Sequence, residues 1–282
     1  MQPRVSVLIA SYNTRTLLLE AIASVVRQPG VQVIVVDNAS ADGSADAVAT
    51  GFPEVTLIRA TRNLGFAAAT NRAAAEANGE FLLMLNPDAR LLDGGLATLV
   101  DCLEREPRAA AVGPALVFGD GQPQAAAFRF PGLVQITLDL FPIARLTDSR
   151  LNGRLHAAPT ARQIDHPLGA CMLIRRSAWD DVGPLDEGYF MYLEEVDWCR
   201  RARGRGWQIW YAPQAHAVHH AGSATRQQPG AMFAQLWRSR LRYYQRHHGL
   251  LFNRAVHTLV RLGLAARMED TPETRSVRDL VR

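Results

Sequence analysis

The sequence predicts an α/β fold in which a mostly parallel sheet is flanked by helices and followed by further helices at the C-terminus. Two observations support this prediction. Short apolar runs typical of buried strands alternate with segments of helical periodicity over residues 5–106, and this alternation produces parallel strands covered by helices. Polar residues directly follow three of the apolar runs, and ligands of such sheets bind at the carboxyl ends of the strands. The sequence therefore predicts one ligand-binding crevice at that edge.

The first half of the chain divides into alternating strands and helices. Strands are predicted where Val, Ile, Leu and Phe predominate, at 5–10, 31–36, 55–59 and 81–85. Helices are predicted where apolar residues recur at helical spacing, at 14–26, 66–78 and 96–106. Asn13 or Thr14 is suited to cap the first helix, and Asn78-Gly79 is suited to end the second.

The second half is less regular. Residues 119–166 contain scattered Gly, Pro and Arg with little periodicity, apart from an amphipathic segment at 131–146. That segment is expected to pack on the core, and the alternatives are contact with an acceptor or with a lipid surface. Beyond it, the sequence predicts a strand at 169–176, a short helix capped by Ser177, and a strand at 208–211.

The C-terminal region is predicted to be helical over 232–268, where arginines are interspersed with aromatic residues. A basic amphipathic helix can lie on anionic lipid. The alternative is a helix that packs on the rest of the protein and keeps a solvated arginine face.

The composition is that of a globular protein with an apolar core. Of its 282 residues, 48% are hydrophobic and 21% are charged, which is ordinary for a soluble enzyme. The net charge is +4, and all the positive charge is arginine because the chain contains no lysine. Its three cysteines match neither a disulfide framework nor a Cys-x-x-Cys metal site. No signal peptide or membrane-spanning apolar run is apparent, so the sequence predicts a cytoplasmic protein.

A cluster of carboxylates and one isolated carboxylate suggest catalytic or metal-binding roles. Glu194, Glu195 and Asp197 lie within four residues and follow several aromatic side chains. Carboxylates beside a covered apolar pocket can have raised pKa values and can accept a proton from a substrate. Upstream, the strand at 81–85 is followed by a single carboxylate, Asp88. Together they outline a metal-assisted transfer enzyme, and the alternative is a solvated helix cap with surface salt bridges.

The turns after the first strands are suited to a nucleotide. The first strand is not followed by G-x-G-x-x-G, so dinucleotide binding of the Rossmann type is not expected. A Walker phosphate-binding loop needs a lysine, and the chain contains none. Instead, the first strand ends in Ser11-Tyr12-Asn13 and the second in Asp37-Asn38. The Asp37 carboxylate could accept an N–H from a base or hydroxyls from a ribose. The segment 63–66 leads into a helix N-terminus, where phosphate oxygens bind well.

The motifs occur one after another along the chain, at 6–13, 35–40 with 42–44, 63–66, 85–88 and 194–200. In that order they resemble the family 2 glycosyltransferases of the GT-A fold, specifically the rhamnosyltransferase-like branch. The resemblance covers about residues 5–223 and includes the Arg-Tyr-Tyr-x-x-x-His pattern that begins at Arg242. It implies a GT-A domain over 1–225 and a C-terminal helical extension over 226–282. Within that domain, 1–118 would form a Rossmann-like nucleotide-sugar-binding half and 119–225 the acceptor and catalytic half.

The resemblance also implies donor-binding and metal-binding residues. Those that would bind the nucleotide-sugar follow the first strands, namely Ser11, Tyr12, Asn13, Asp37, Asn38, Asn63, Gly65, Asn86 and Asp88. Asp88 would hold Mg²⁺ or Mn²⁺ on the diphosphate, and Asn86 replaces the first acid of the family's Asp-x-Asp motif. His219 would be a second metal or diphosphate ligand, with His220 as the alternative in the next register.

The catalytic and acceptor-side residues come from the later motifs. Glu195 stands where the family has an Asp that acts as catalytic base, and Glu194 is the alternative base. Asp197 would complete the catalytic group, while Arg200 with Gly169-Ala170 would line the acceptor side.

The implied activity is an inverting, metal-dependent transfer of a sugar to a hydroxyl of a glycan or lipid-linked glycan in cell-surface polysaccharide synthesis. The implied donor is dTDP-rhamnose, and a UDP-activated sugar is the alternative. Two other hypotheses remain. One is a nucleotidyltransferase, although such enzymes usually have a glycine-rich loop after the first strand and Ser11-Tyr12-Asn13 does not match it. The other is a non-catalytic partner of a glycan assembly complex. No nucleic-acid partner is predicted. The location would be cytoplasmic, or peripheral on the cytoplasmic face of the inner membrane through the C-terminal basic helix.

Overall fold

The computed structural model describes residues 2–147, 149–155, 160–223, 227–267 and 271–281, and it confirms the α/β fold. The strands are β1 (Val5–Ser11), β2 (Val31–Asp37), β3 (Thr56–Arg59), β4 (Phe81–Leu85), β5 (Ala89–Leu91), β6 (Ala109–Val117), β7 (Pro123–Gln124), β8 (Ala127–Phe128), β9 (Arg162–Ile164), β10 (His166–Pro167), β11 (Cys171–Arg175) and β12 (Gln208–His219). The helices are α1 (Arg15–Ala23), α2 (Ser44–Gly51), α3 (Phe66–Ala75), α4 (Gly95–Arg105), α5 (Leu133–Leu140), α6 (Ala144–Thr147), α7 (Arg176–Val182), α8 (Glu194–Gly204), α9 (Pro229–His247), α10 (Leu250–Arg267) and α11 (Pro272–Leu280). A 3₁₀ turn spans Arg150–Asn152.

The central sheet has the strand order β3-β2-β1-β4-β11-β6-β12-β5. The first four strands are parallel, as predicted, and Ser11 at the end of β1 lies opposite Asp37 at the end of β2. The far half of the sheet is mixed, because β11 runs antiparallel to both β4 and β6. The carboxyl ends of β1, β2 and β4 therefore share one edge, and β11 begins at that same edge.

The two central parallel strands, β1 and β4, are buried on both faces, which explains why they are continuous apolar runs, whereas the edge strand β3 is partly exposed. Every residue of β1 and β4 is buried. Helix α3 packs on β1 and β2 through its alanines, whose small side chains allow a close approach. The predicted strands and helices of this half are confirmed to within a few residues, although α1 ends at Ala23 and α3 at Ala75.

Three elements of the first half were not predicted, namely α2, β5 and β6. β6 lies between β11 and β12, yet it consists largely of alanine and contains Pro114, which lowers its resemblance to a strand. Pro114 pairs with Ala212, where the register between β6 and β12 shifts. A proline is tolerated at such an irregularity because its missing N–H is not needed there.

The later elements also differ from prediction. Helix α7 begins at Arg176 with Arg175 at its N-cap, so Ser177 lies inside the helix and does not cap it. Strand β12 continues well beyond the predicted 208–211. The predicted helix over 232–268 is two helices, α9 and α10, which separate at His248-Gly249, and residue 268 lies outside the described residues. Helix α11 was not predicted.

The C-terminal helices form a second apolar cluster together with α5. Ile136 and Leu140 of α5 pack with Val260 and Leu264 of α10. A methyl group at Gly263 would come within 2.8 Å of the Leu140 side chain, so the glycine allows this close packing. Core packing is thus the observed role of the amphipathic segment. The predicted domain boundary at 225/226 falls outside the described residues, and the division into two domains stays a prediction.

None of the helices that the structure describes is both long enough and apolar enough to cross a lipid bilayer.

A buried histidine supports the small sheet formed by β8 and β10. His166 stacks between Phe128 and Phe130, with ring centroids 5.4 and 6.1 Å away, and its Nδ1 lies 2.9 Å from the carbonyl oxygen of Pro167. Burial lowers its pKa from 6.5 to about 4, despite opposing contributions from Pro167, Asp165 and Arg129. His166 is therefore neutral in the folded protein at neutral pH.

We expect the free energy of unfolding to fall in acid because of His166. Between its folded pKa of about 4 and the ordinary 6.5, the unfolded chain binds a proton that the folded chain does not. The stability is therefore complete above about pH 6.5 and decreases toward pH 4, by about 2–3 kcal/mol. Urea unfolding of wild type and His166→Phe at about pH 7.5 and about pH 4.5 measures this contribution. If the free energy of unfolding fell equally in both proteins between the two pH values, the acid sensitivity would come from groups other than His166.

Candidate active site

A cavity of about 330 Å³ opens at the sheet edge where β1, β2 and β4 end and α8 begins. Many of the predicted site residues line it, namely Tyr12, Asn38, Asn63, Gly65, Asn86, Asp88, Gly169, Ala170, Glu194, Glu195 and His219. They come from distant parts of the sequence and meet because the strand ends converge. The backbone N–H of Asn86 donates to the carbonyl oxygen of Ala170 at 2.9 Å, which joins the loop after β4 to the start of β11.

Three predicted donor residues are set behind or beside this lining. Ser11 is buried, and its hydroxyl lies 3.1 Å from that of Thr14. Asn13 accepts a hydrogen bond from the backbone of Ala41 at 2.8 Å. The Asp37 carboxylate is also buried; one oxygen accepts from the Ser40 N–H, while Oδ1 has no partner among the described residues. A buried acceptor without a donor is costly, so Asp37 offers a ligand an unmet hydrogen bond.

The turn at 63–66 is shaped by Gly65. Its φ of +82° is a conformation that favours glycine, and a methyl group there would overlap the carbonyl oxygen of Phe190. The Asn63 side chain accepts from the Gly65 N–H at 2.9 Å, and the Phe66 N–H donates to Phe190 at 2.7 Å. Asn38 at the end of β2 also accepts from the Leu64 N–H. This turn thereby joins the donor-side strands to the loop that precedes α8.

Asp88 and His219 are brought together by the pairing of β5 with β12. In that ladder His219 lies opposite Ala89, and its Nε2 is 3.4 Å from Asp88 Oδ1. The other Asp88 oxygen accepts from the Ser223 N–H at 3.1 Å. Burial acts to raise the pKa of the Asp88 carboxyl, but the hydrogen bonds from His219 and Ser223 outweigh burial and lower it.

His220 faces elsewhere. A methyl group at Gly119 would come within 2.6 Å of the His220 ring, so that ring packs directly on Gly119. Of the two histidines, His219 is the one beside Asp88 and in the cavity.

The pair formed by Asp88 and His219 fits a divalent cation. His219 Nδ1 lies 3.1 Å from the Gln124 side-chain oxygen. With a cation bound between the two side chains, a His219 ring that donates from Nδ1 to Gln124 would direct its Nε2 lone pair at that cation, as metal-binding histidines do. In the described parts of the chain no cluster of three or more His, Cys, Asp or Glu side chains forms a complete metal site. Mg²⁺ commonly binds through one or two protein carboxylates plus phosphate oxygens and water, so a partial site matches that chemistry.

Glu194 and Glu195 begin α8 and are both buried. The Glu195 side chain packs on Gly169, where a methyl group would lie 3.1 Å from its carboxyl carbon. One oxygen of each carboxylate, Oε2, has no partner among the described residues. Both side chains therefore carry an unmet acceptor at the cavity wall.

The two carboxyls differ in how easily they ionise. Burial raises both pKa values. The charge of Glu195 raises the pKa of Glu194 further, to well above its ordinary value. Hydrogen bonding from the backbone N–H groups of Glu195, Gly169 and Val196 opposes the rise at Glu195. These backbone hydrogen bonds favour the ionised form of Glu195.

Asp197 lies on the side of α8 away from the cavity. Its fully buried carboxylate is 2.8 Å from Arg201 Nε, 2.7 Å from His247 Nε2 and 3.3 Å from Arg246 Nε. Burial acts to raise the pKa of Asp197, but hydrogen bonds from His247 and Arg201 lower it. Asp197 is thus an ionised link between α8 and α9, and it does not line the cavity.

Arg200 also lies outside the cavity lining. Its guanidinium lies over the Phe130 ring, 5.0 Å from the centroid. Of the three residues predicted for the acceptor side, only Gly169 and Ala170 line the cavity.

Several residues of the site were missed in the sequence. Gln124 orients His219 from a segment with little periodicity. Tyr192 and Leu193 line the cavity with positive φ values of 70° and 66°, a strained conformation for residues other than glycine. Gln227 lines the cavity and donates to the Asn13 carbonyl oxygen at 2.9 Å, closing one side of the crevice. The aromatic run before Glu194 contains Tyr192 and Leu193 but did not identify them as lining residues, and no local motif marks Gln124 or Gln227.

Comparisons with known proteins identify relatives of this chain. Residues 6–183 match the family model for glycosyl transferase family 2. The chain is 30% identical over 253 residues to the N-acetylglucosaminyl-diphospho-decaprenol L-rhamnosyltransferase of Mycobacterium tuberculosis, over 84% of this chain and 82% of that protein. It is 27% identical over 181 residues to the rhamnosyltransferase WbbL of Escherichia coli, over 63% of this chain and 66% of that protein.

Among solved structures, the mannosyltransferase PcManGT from Pyrobaculum calidifontis, in complex with GDP-Man and Mn²⁺, superposes with a TM-score of 0.60 at 20% identity. The match covers 98% of this chain and 74% of that one. At this identity the likeness bears on the fold, and it supports a GT-A type of sheet with flanking helices.

Proposed function

The chain belongs to glycosyl transferase family 2 and is a glycosyltransferase, and from that premise we propose that it moves L-rhamnose from dTDP-rhamnose to a hydroxyl of a lipid-linked glycan. The donor sugar and the acceptor class are proposed from two relatives. Both are rhamnosyltransferases, and the name of the one from Mycobacterium tuberculosis includes N-acetylglucosaminyl-diphospho-decaprenol. The observation that carries the reaction is that Asp88 and His219 line the same cavity as Glu194 and Glu195. The proposed donor site and the proposed general base would then adjoin the same cavity.

The donor nucleotide is proposed to bind at the ends of β1 and β2. Asp37 Oδ1, a buried acceptor without a partner among the described residues, would receive a hydrogen bond from the base or ribose. The turn at 63–66 leads into α3, whose N-terminal N–H groups favour phosphate oxygens. Asn38 and Asn63, which hold this turn, would orient the nucleotide.

The acceptor is proposed to enter beside Gly169 and Ala170. Glu195 packs on Gly169, so a hydroxyl placed over this small residue would reach the carboxylate. The ionised Glu195 takes the hydroxyl proton, and the oxygen attacks the anomeric carbon as the bond to the diphosphate breaks. The electron pair of that bond leaves on the nucleoside diphosphate. Attack from the face opposite the leaving group inverts the configuration, and no covalent enzyme intermediate is needed.

Mg²⁺ or Mn²⁺, as in the structure with GDP-Man and Mn²⁺, is proposed to bind at Asp88 and His219. Such a cation would supply positive charge against the diphosphate of the leaving nucleotide.

Transfer assays with purified protein test this function. We expect the product to form from dTDP-rhamnose and a short-chain diphospholipid-linked N-acetylglucosamine with Mn²⁺ or Mg²⁺, and NMR to show an anomeric configuration opposite to that of the donor. Product formation from a UDP-activated sugar instead would support the alternative donor. Binding of dTDP-rhamnose without transfer or hydrolysis would contradict the enzyme and support a non-catalytic nucleotide-sugar-binding partner. A thermal-shift panel of nucleoside diphosphates identifies the base preference independently, because binding stabilises the folded state.

A further inference from the structure

Two strained residues directly precede the paired carboxylates of α8. Tyr192 and Leu193 have positive φ values of 70° and 66°, and Glu194 and Glu195 follow at once. Residues other than glycine keep such a conformation only where surrounding contacts fix it. The position of the Glu195 carboxylate at the cavity wall therefore depends on the contacts that hold the backbone on either side of this strained pair.

Helix α9 contacts the backbone just before the strained pair. The buried hydroxyl of Ser239 donates to the carbonyl oxygen of Met191 at 2.7 Å. The Gln235 side chain, one turn earlier in α9, donates to the Ser239 oxygen at 3.1 Å. Because the hydroxyl accepts from Gln235, its own proton is directed at Met191. Ser239 thus fixes the backbone immediately before Tyr192.

The same helix contacts α8 just after the strained pair. His247 Nε2 lies 2.7 Å from Asp197 Oδ1, and an ionised carboxylate can only accept, so His247 donates. The His247 ring packs on the Tyr243 ring, with 4.8 Å between the centroids, which restricts its orientation. The backbone N–H of Asp197 donates to the Leu193 carbonyl oxygen at 2.8 Å. Holding Asp197 therefore holds the first turn of α8.

A third attachment to α9 lies at residues 186–188. Asp186 pairs with Arg242 at 2.8 Å and also with Arg246. A methyl group at Gly188 would overlap the Arg242 guanidinium, so the arginine lies directly on the backbone there. The helix that carries the Arg-Tyr-Tyr-x-x-x-His pattern thus holds the segment 186–197 at its beginning, at Met191 and at its end.

We propose that Ser239 and His247 are positioning residues, which hold the start of α8 so that the Glu195 carboxylate stays beside Gly169. Neither is among the described residues that line the cavity, so both would act through the segment 186–197. This inference rests on the proposed role of Glu195 as general base. Displacing a catalytic group by about 1 Å can cost about 100-fold in rate, so such residues affect the chemical step more than donor binding.

Kinetics of His247 variants test the proposal. We expect His247→Ala to lower kcat by about 10–100-fold, with the KM for dTDP-rhamnose and its calorimetric affinity nearly unchanged. The glutamine amide can donate to Asp197 in place of Nε2, so His247→Gln should recover most of the lost kcat. Ser239→Ala should lower kcat in the same way as His247→Ala. The matched control His257→Ala removes a half-buried histidine of α10 and should turn over as wild type.

Hydrogen exchange adds a measurement that needs no activity. Backbone amides of residues 191–197 should exchange faster in His247→Ala than in wild type, whereas those of β1 and β2 should not change. Unchanged exchange at 191–197, or a normal kcat in His247→Ala, would overturn the proposal.

Two further results would also overturn it, in variants that thermal unfolding shows to be folded. They are equal losses of kcat in His247→Ala and His247→Gln, and a loss of donor affinity as large as the loss of kcat. Absence of transfer by the wild type would instead contradict the proposed function, while hydrogen exchange would still decide whether His247 holds the start of α8.

Discussion

Glu195→Gln is expected to lower kcat by about 10²–10⁴-fold, the range that a positioned general base contributes. Glutamine retains the size of the side chain and its packing on Gly169, but it cannot take a proton from the acceptor. Donor binding, measured by calorimetry with dTDP-rhamnose, should be nearly unchanged because the proposed nucleotide site is at the ends of β1 and β2. A loss of kcat without a loss of donor affinity would assign the residue to the chemical step.

Glu194→Gln is the matched control in the adjacent position. Burial and the charge of Glu195 raise the pKa of Glu194 well above the ordinary value, which favours the protonated form of Glu194. Glutamine resembles that protonated form, so we expect kcat within about tenfold of wild type and an unchanged acidic limb of the pH profile. Glu195→Asp should retain measurable activity, since it keeps the carboxylate. If Glu194→Gln were inactive and Glu195→Gln active, the base would be Glu194.

The near half of the sheet could be predicted because its central strands are buried on both faces. Such strands are continuous apolar runs with polar residues at their ends, as in β1 with Ser11 and β2 with Asp37. β6 could not be predicted in the same way. Its alanines and Pro114 are weak strand formers alone, and they are held in place by pairing with β11 and β12. Long-range pairing outweighs local propensity there.

The candidate site shows the same limit. The motifs predicted many of the side chains that line the cavity, but they also included Asp197 and Arg200, which do not line it, and they left His220 open as the alternative to His219. The difference between the two histidines depends on β5, a three-residue strand without its own sequence signal, whose pairing with β12 sets His219 beside Asp88. Gln124 and the strained residues Tyr192 and Leu193 likewise depend on packing between distant segments. The motif predicted that Asp197 belongs to the catalytic group. The structure instead places its carboxylate in buried contacts with Arg201 of α8 and His247 of α9.

Asp88→Asn is expected to remove the metal dependence of donor binding. In wild type, calorimetry should show Mn²⁺ strengthening the binding of dTDP, since the Asp88 carboxylate is ionised and held by Ser223 and His219. Asparagine retains the shape and the hydrogen bond from Ser223 but lacks the charge. We expect Mn²⁺ affinity to fall by more than about 100-fold, because loss of an outer partner alone commonly costs about 10–100-fold. Turnover should fall by about 10³-fold, since a bound metal contributes several kcal/mol.

The two neighbouring histidines supply the control for this prediction. His219→Ala removes the imidazole that faces Asp88, whereas His220→Ala removes one that packs on Gly119. Mn²⁺ affinity should therefore fall strongly in the first variant and little in the second. Gln124→Ala should give an intermediate loss, about 10–100-fold, because it frees the His219 ring without removing it. Thermal unfolding without metal checks that each variant is folded. Normal Mn²⁺ binding by folded Asp88→Asn would place the metal elsewhere, and a larger loss in His220→Ala than in His219→Ala would move the second ligand to His220.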